Sequence, residues 1–203
     1  MCQDPLLSIC MDEIRIILGW AAGALSLAAF VPYILSILRG ETIPNRATWF
    51  IWTVVGVMLG SSYYAGGANN TMWLPASYVV GPFVVFLLSI KRGEGGWTKL
   101  DRVCLSIAGV SAFFWGLTGS AFVALCMNLV ADAMGAFPTI LKAYHKPESE
   151  DRMAWTMAFV ATIVNIGAVE NWHSFSIWGY PIYMLLNVGT IAALLWFRAR
   201  KKM

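Results

Sequence analysis

The run FVPYILSILRGETIPNRATWF, residues 30–50, returns as AFPTILKAYHKPESEDRMAWT, residues 136–156. Laid over each other without a gap, Pro32 falls on Pro138, Ile34 on Ile140, Leu35 on Leu141, Arg46 on Arg152 and Trp49 on Trp155. The same offset of 106 residues pairs Val54 with Val160, Pro75 with Pro181 and Arg92 with Arg198. Apolar residues coincide readily in a hydrophobic chain. Two prolines, a tryptophan and two arginines in one register do not. The pattern predicts an internal duplication, one of the ways in which membrane transporters build a central site between two similar halves.

Working outward, the rest of the chain reads as membrane-embedded. Of its 203 residues 59% are hydrophobic and 12% charged, and the mean hydropathy is +0.66. A soluble domain carries about 25% charged residues. No Asp, Glu, Lys or Arg occurs between Arg46 and Lys91, and Asp132 is the only one between Arg102 and Lys142. Such runs predict transmembrane helices. Seven spans fit: 14–38, 47–65, 72–90, two within 102–141, 153–169 and 175–197. At ~1.5 Å per residue the stretch 102–141 is ~60 Å long, enough for two crossings of a ~30 Å core. Its break is expected near 116–120, at Gly116-Leu-Thr-Gly-Ser120.

The basic residues set the orientation. With the N-terminus outside, Arg39 and Arg46, then Lys91, Arg92, Lys99 and Arg102, then Lys142, Lys146 and Arg152, then Arg198, Arg200, Lys201 and Lys202 all fall in the cytoplasm. Only Arg15 lies outside. The net charge of +3 is thereby read as a cytoplasmic retention signal, not as a nucleic-acid contact. A block of three spans ends on the side opposite its start, so a second copy in the same orientation needs one extra crossing. The expected fold is all-α and integral to the membrane, seven helices in a 3+1+3 arrangement of parallel repeats, with the C-terminus cytoplasmic. Residues 1–13 form a tail, 14–92 the first three-helix unit, 93–119 a loop and linker helix, and 120–203 the second unit with a basic tail. The tail has no basic n-region and no cleavage motif, unlike a signal peptide. A disulfide between Cys2 and Cys10 would have little to staple in so short a segment.

A proline inside the first helix of a three-helix unit, a short basic loop and a Trp opening the next helix resemble the PQ-loop superfamily, which includes the SWEET sugar transporters. The segments that carry the likeness are Phe30-Val-Pro-Tyr-Ile-Leu35 with Pro44-Asn-Arg-Ala-Thr-Trp49, and Phe137-Pro-Thr-Ile-Leu-Lys142 with Asp151-Arg-Met-Ala-Trp155. Pro181 and the run Asn187-Val-Gly189 are similar to the Asn-bearing final helix of SWEETs. The signature Pro-Gln of that superfamily is Pro32-Tyr33 and Pro138-Thr139 here, and Gly81 stands where a second Asn would face Asn187. The resemblance implies a transporter with parallel three-helix repeats and a site between them.

The residues themselves nominate where the work is done. Proline lacks an N–H and clashes with the carbonyl four residues back. In lipid the freed carbonyl needs a partner in protein or in a water-filled cavity. Pro32 and Pro138 are therefore expected as hinges of an inner gate, and Pro75 and Pro181 as their outer counterparts. Asp132 is the only acid deep in a span, where an ionised carboxylate costs at least ~2.5–3.5 kcal/mol. It is the candidate for substrate binding and for proton coupling. Asn187, Asn128 and Asn165 fall near the same depth, and amides suit a neutral polar solute. Trp52 and Tyr78 are expected to stack on a ligand. Trp49 and Trp155 read instead as interfacial belt residues, and Arg46 and Arg152 as topology charges.

No Cys/His cluster has metal-ligand spacing, and no hydrolase, P-loop or dinucleotide motif occurs. The expectation is thus not an enzyme, with no cofactor and no catalytic residue. It is a transporter of a small polar solute, sugar-like or another neutral metabolite, working by alternating access about a midplane site. The alternatives are a proton-coupled amino-acid or vitamin transporter and a non-transporting membrane receptor. Its partners are a small-molecule solute and the lipid bilayer, with no nucleic acid. Two fused repeats complete a site in one chain, and a homo-oligomer is compatible with that. Short loops suit a bacterial inner (plasma) membrane. The orientation has a direct test. In a background without the native cysteines, Asn69→Cys should react with an impermeant thiol reagent added to intact cells, and Ser149→Cys should not. The opposite pattern would reverse the topology.

Overall fold

The computed structural model describes residues 5–95 and 98–199. Cys2 and the basic residues Arg200, Lys201 and Lys202 lie outside them; Cys10 is a free, exposed thiol. The described chain is helical. Seven α-helices follow one another: α1 (Pro5–Arg39), α2 (Arg46–Ala65), α3 (Trp73–Arg92), α4 (Lys99–Thr118), α5 (Ala121–His145), α6 (Arg152–Gly167) and α7 (Phe175–Ala199). Single 3₁₀ turns occur at Asn70–Met72 and Pro147–Ser149.

Each expected span has its helix. Four stretches are long and apolar enough to cross a membrane: Cys10–Arg39, Asn70–Arg92, Ala121–His145 and Phe175–Phe197. The other three helices are shorter or more polar. α6 has 16 residues, or about 24 Å at 1.5 Å per residue. The first helix begins well before residue 14, because Pro5 is tolerated at a helix start and no Pro or Gly follows until Gly19. The break between α4 and α5 falls at Gly119, whose φ of 64° is one that side-chain-bearing residues rarely adopt. Ser120 then caps α5 by accepting from the Val123 N–H.

Other caps are paired at the 106-residue offset. Asn45 accepts from the Thr48 N–H at the start of α2, and Asp151 from the Ala154 N–H at the start of α6. The loop arginines do more than set topology. Arg46 donates to the carbonyls of Ser89 and Gly93 at the end of α3, at 2.9 and 2.7 Å. Arg152 stands 5.7 Å from the ring centre of Trp196, near the end of α7. Arg92 donates to the Leu38 carbonyl at the end of α1. Cations at helix C-termini satisfy orphan carbonyls and complement the helix dipole.

The packing pairs are likewise duplicated. α1 packs on α3 and α6, and α5 packs on α7 and α2; α2 packs on α3, and α6 on α7. α4 leans on α5 and α2. The perimeter is apolar, with Ile17, Phe113, Leu117, Leu186 and Phe197 each more than 60% exposed. Small polar residues such as Ser26, Ser62, Ser77 and Thr162 are buried. This inverted distribution suits a lipid surround, in which helices associate through close packing and interhelical hydrogen bonds.

The helix prolines are Pro32, Pro82, Pro138 and Pro181. Pro75 lies nearer a helix start than these. It is the third residue of α3, directly after the 3₁₀ turn Asn70–Met72, while Pro181 is the seventh residue of α7, so both prolines lie near the starts of their helical stretches. Pro82 is the interior proline of α3. Pro181 frees the Ile177 carbonyl, and the Tyr63 hydroxyl of α2 donates to it at 2.5 Å. The same hydroxyl lies 2.7 Å from Thr71 Oγ1. Tyr63 and Thr71 are fully buried. Tyr63→Phe should therefore strand two buried polar groups and lower stability by about 1–3 kcal/mol in detergent unfolding. An unchanged unfolding midpoint would mean that Ile177 finds another donor.

Candidate functional site

A cavity of about 60 Å³ lies between the triplets α1–α3 and α5–α7. Its wall includes Asp132, Asn187, Trp52 and Tyr78, four of the residues nominated from sequence. Asp132 is the twelfth of 25 residues in α5, and Asn187 the thirteenth of 25 in α7. Both thus sit about halfway along their helices. The Tyr183 hydroxyl donates to Asp132 Oδ2 at 2.5 Å. Asn187 Nδ2 donates to the Tyr183 hydroxyl at 2.9 Å and reaches Asp132 Oδ2 at 3.4 Å. Tyr183 and Asn187 are one helical turn apart, so a single face of α7 meets the acid of α5.

The equivalent place in the first triplet holds a smaller version of the same contact. Ser77 Oγ of α3 donates to Ser26 Oγ of α1 at 2.6 Å. Ser26 and Ser77 are the counterparts of Asp132 and Tyr183 at the 106-residue offset. Gly81, the counterpart of Asn187, gives its space to a ring: a Cβ there would lie 2.2 Å from Phe30 Cε2. Phe30 also lines the cavity.

Aromatic rings close the cavity at the end where α2 and α6 begin. Trp49 and Trp155, each the fourth residue of its helix, are 5% and 7% exposed. They are cavity walls and not belt residues, because α1 and the neighbouring helix starts cover them. Tyr33 lies 5.1 Å from Trp49 and 6.5 Å from Trp155, ring centre to ring centre. Trp52 lies 5.0 Å from Trp49 and 6.3 Å from Trp155. Behind the rings stands a buried acid. Glu150 Oε2 accepts from the Tyr33 hydroxyl and from Trp155 Nε1, both at 3.0 Å. Its Oε1 lies 3.1 Å from Lys142 Nζ, which also donates to the Ile43 carbonyl at 2.6 Å. α1, α5 and α6 are thus joined through one carboxylate. On its far side a second, more polar cavity of about 280 Å³ takes in Glu94, Lys142, Lys146 and His145, and it shares Trp49 with the first.

At the opposite end the cover is neutral. Tyr63 and Tyr180 pack with ring centres 5.2 Å apart, above Leu59. Tyr180 is 2% exposed.

Of the remaining nominated residues, Pro75 touches the cavity wall. Pro138 lines the second cavity. Pro32 and Pro181 lie in α1 and α7 next to Tyr33 and Tyr180 in sequence. Asn128 and Asn165 are fully buried, but neither lines the cavity, and both amides lack a hydrogen-bond partner among the described residues. Asn128 is one helical turn before Asp132 on α5, and that turn is enough to take it past the cavity wall. The Trp52 Nε1 also lacks a partner and points toward α5, where a Cβ on Gly135 would stand 3.4 Å away.

Sequence reasoning missed Glu150 and Tyr33, and it considered Tyr183 for ring stacking and not as the partner of Asp132. For Glu150 the signal was slight, an acid placed five residues before a helix-opening Trp. Tyr33 stands where the resembled superfamily has its Gln. No family model, curated protein or solved structure matches this chain.

The Lys142–Glu150 pair gives a stability test. Glu150→Leu leaves Lys142 with Glu94, 3.8 Å away, but strands the Tyr33 and Trp155 donors and should cost about 1–3 kcal/mol, whereas adding Lys142→Met should restore part of that loss. Thermal unfolding of the two singles and the double measures the coupling. Strict additivity would show that the two residues act independently.

Proposed function

We propose that this chain is a small-solute transporter of the inner membrane that works by alternating access around the Asp132 cavity. In this reading all seven helices cross the membrane in a 3+1+3 arrangement, with the N-terminus outside and the C-terminus cytoplasmic. The two triplets are duplicated units, and the resemblance to PQ-loop transporters reflects that plan. The single observation that carries the reading is a partly open cavity that holds a carboxyl and an amide between two helix triplets, with a cluster of aromatic rings toward each end. A transporter needs a site between two units that either end can expose in turn, and this cavity lies where such a site would be.

Supporting observations point the same way. Each packing pair of the first triplet has its counterpart in the second, and the caps Asn45 and Asp151 fall in one register. Cavity residues are paired at the offset: Trp49 with Trp155, Trp52 with Ala158, Tyr78 with Met184. The rocking motion pivots at the interior prolines Pro32 and Pro138, each close to the closure that Tyr33, Trp155 and Glu150 form. A second reading is favoured by the position of Asp132. A carboxyl in the cavity wall, with partners that accommodate either protonation state, suits proton-coupled movement of an amino acid or vitamin.

Flux across proteoliposomes decides between transport and reception. The wild-type protein should exchange solute across the bilayer, and Pro32→Ala with Pro138→Ala should insert normally but lower the rate several-fold. Tight binding without flux would make the protein a receptor. Full flux in the double variant would reduce the prolines to static bends. Under an imposed pH gradient, Asp132→Asn should abolish accumulation and spare exchange if protons are coupled; a wild type indifferent to the gradient is a uniporter.

A further inference from the structure

The chemistry of the cavity wall says more about its occupant. Seven of the lining residues are aromatic, among them Trp49, Trp52, Tyr78 and Trp155. The rest are mostly aliphatic. Besides the tyrosine hydroxyls and the donor-only indole N–H groups of Trp49, Trp52 and Trp155, the polar side-chain groups are Asp132 and Asn187, and no lysine, arginine or histidine is among the lining residues. These two are already engaged with each other through Tyr183. The Tyr33 hydroxyl is spent on Glu150.

A neutral polyol fits this wall poorly. Each of its hydroxyls, once taken from water, needs a partner, and each one left unpaired costs free energy. A cation fits well. Ring faces are the negative pole of the aromatic quadrupole and attract a positive charge within about 6 Å of the ring centre. The acid contributes the other half. Both hydrogen bonds that Asp132 accepts fall on Oδ2, which leaves Oδ1 for an occupant. A carboxylate with neutral donors on one oxygen and no protein cation nearby is a charge still lacking its counter-ion.

We propose that the cavity binds a small organic cation, a quaternary ammonium or a positively charged nitrogen ring, with Asp132 as counter-ion and the Trp and Tyr rings as its walls. The proposal rests on the reading of this cavity as the solute site. It replaces a sugar-like neutral solute with a charged one.

The test uses pairs that differ in charge and little in shape. Choline is compared with 3,3-dimethylbutan-1-ol, and N-methylpyridinium with pyridine at a pH where pyridine is neutral. Binding to the purified full-length protein is followed by calorimetry and by thermal stabilisation, since a ligand of the folded state raises the melting point. At least one cation should bind about tenfold or more tightly than its neutral partner, a difference of about 1.4 kcal/mol. Asp132→Asn should erase that difference, and Trp52→Leu should weaken the cation more than the neutral isostere. Trp52→Leu keeps the test open should the Asp132 variant fail to fold.

Equal binding of cation and isostere would overturn the proposal. So would binding of neither cation, or stabilisation by glucose alone. Flux separates this outcome from the fate of the transport reading. Cation binding without cation flux sinks transport and leaves the ligand class standing. Glucose flux without cation binding sinks the ligand class and leaves transport standing.

Discussion

A carboxyl group in the middle of an apolar helix bundle has to find its partners inside the protein, and the arrangement around Asp132 follows from that constraint. Lipid offers it nothing, and leaving it bare is costly. Tyr183 and Asn187 come to it from one face of α7, which fastens α5 to α7 near the middle of both. α7 is fastened again near its start, where Pro181 leaves the Ile177 carbonyl without its helical donor and Tyr63 of α2 supplies one. α7 is thus tied to α5 within its own triplet and to α2 across the gap between the triplets. The cavity lies in that gap, and the rings of Trp52 and Tyr78 face into it.

The two closures of that cavity are held by different chemistry. One is a carboxylate, Glu150, shared among a tyrosine, a tryptophan and a lysine from three helices. The other is a neutral stack of Tyr63 and Tyr180. A buried ion pair gains little net free energy when intact and costs a great deal when one partner is lost. Hydrating both charges together is much cheaper than stranding one. The Glu150 cluster is therefore costlier to break at one partner than to hydrate whole, and the polar cavity lined by Lys142 lies beside it. The neutral closure has no such charges.

Much of this was legible in the sequence, for reasons that can be named. Charge-free runs end at basic loops, so helix positions followed from hydropathy, and the break near Gly119 followed from length alone. Asp132, Asn187, Trp52 and Tyr78 were found because depth along a helix is a count of residues. Depth does not say which face a residue presents to which neighbour. Asn128 and Asn165 lie at a suitable depth and yet outside the cavity, since the helix that covers each is fixed only by the tertiary packing. Trp49 and Trp155 were read as belt residues on position, and it is Tyr33 from α1 that buries them. Glu150 sits in a loop, where an acid ordinarily faces water. Nothing local marks it as the point where α1, α5 and α6 meet.

The pairing of positions across the two triplets also shows how a symmetric scaffold yields a one-sided site. Where the first triplet joins α1 to α3 with two serines, the second joins α5 to α7 with an acid and a tyrosine. Where the first places the ring of Phe30 against Gly81, the second has Ala136 and Asn187. The result is that rings are supplied mainly by the first triplet and the acid and amide by the second. A ligand meeting such a cavity has one charged wall and one aromatic wall, hence one favoured orientation. Two identical halves would offer two acids, and two like charges facing each other across so small a space would repel and open the very gap that the packing has to close.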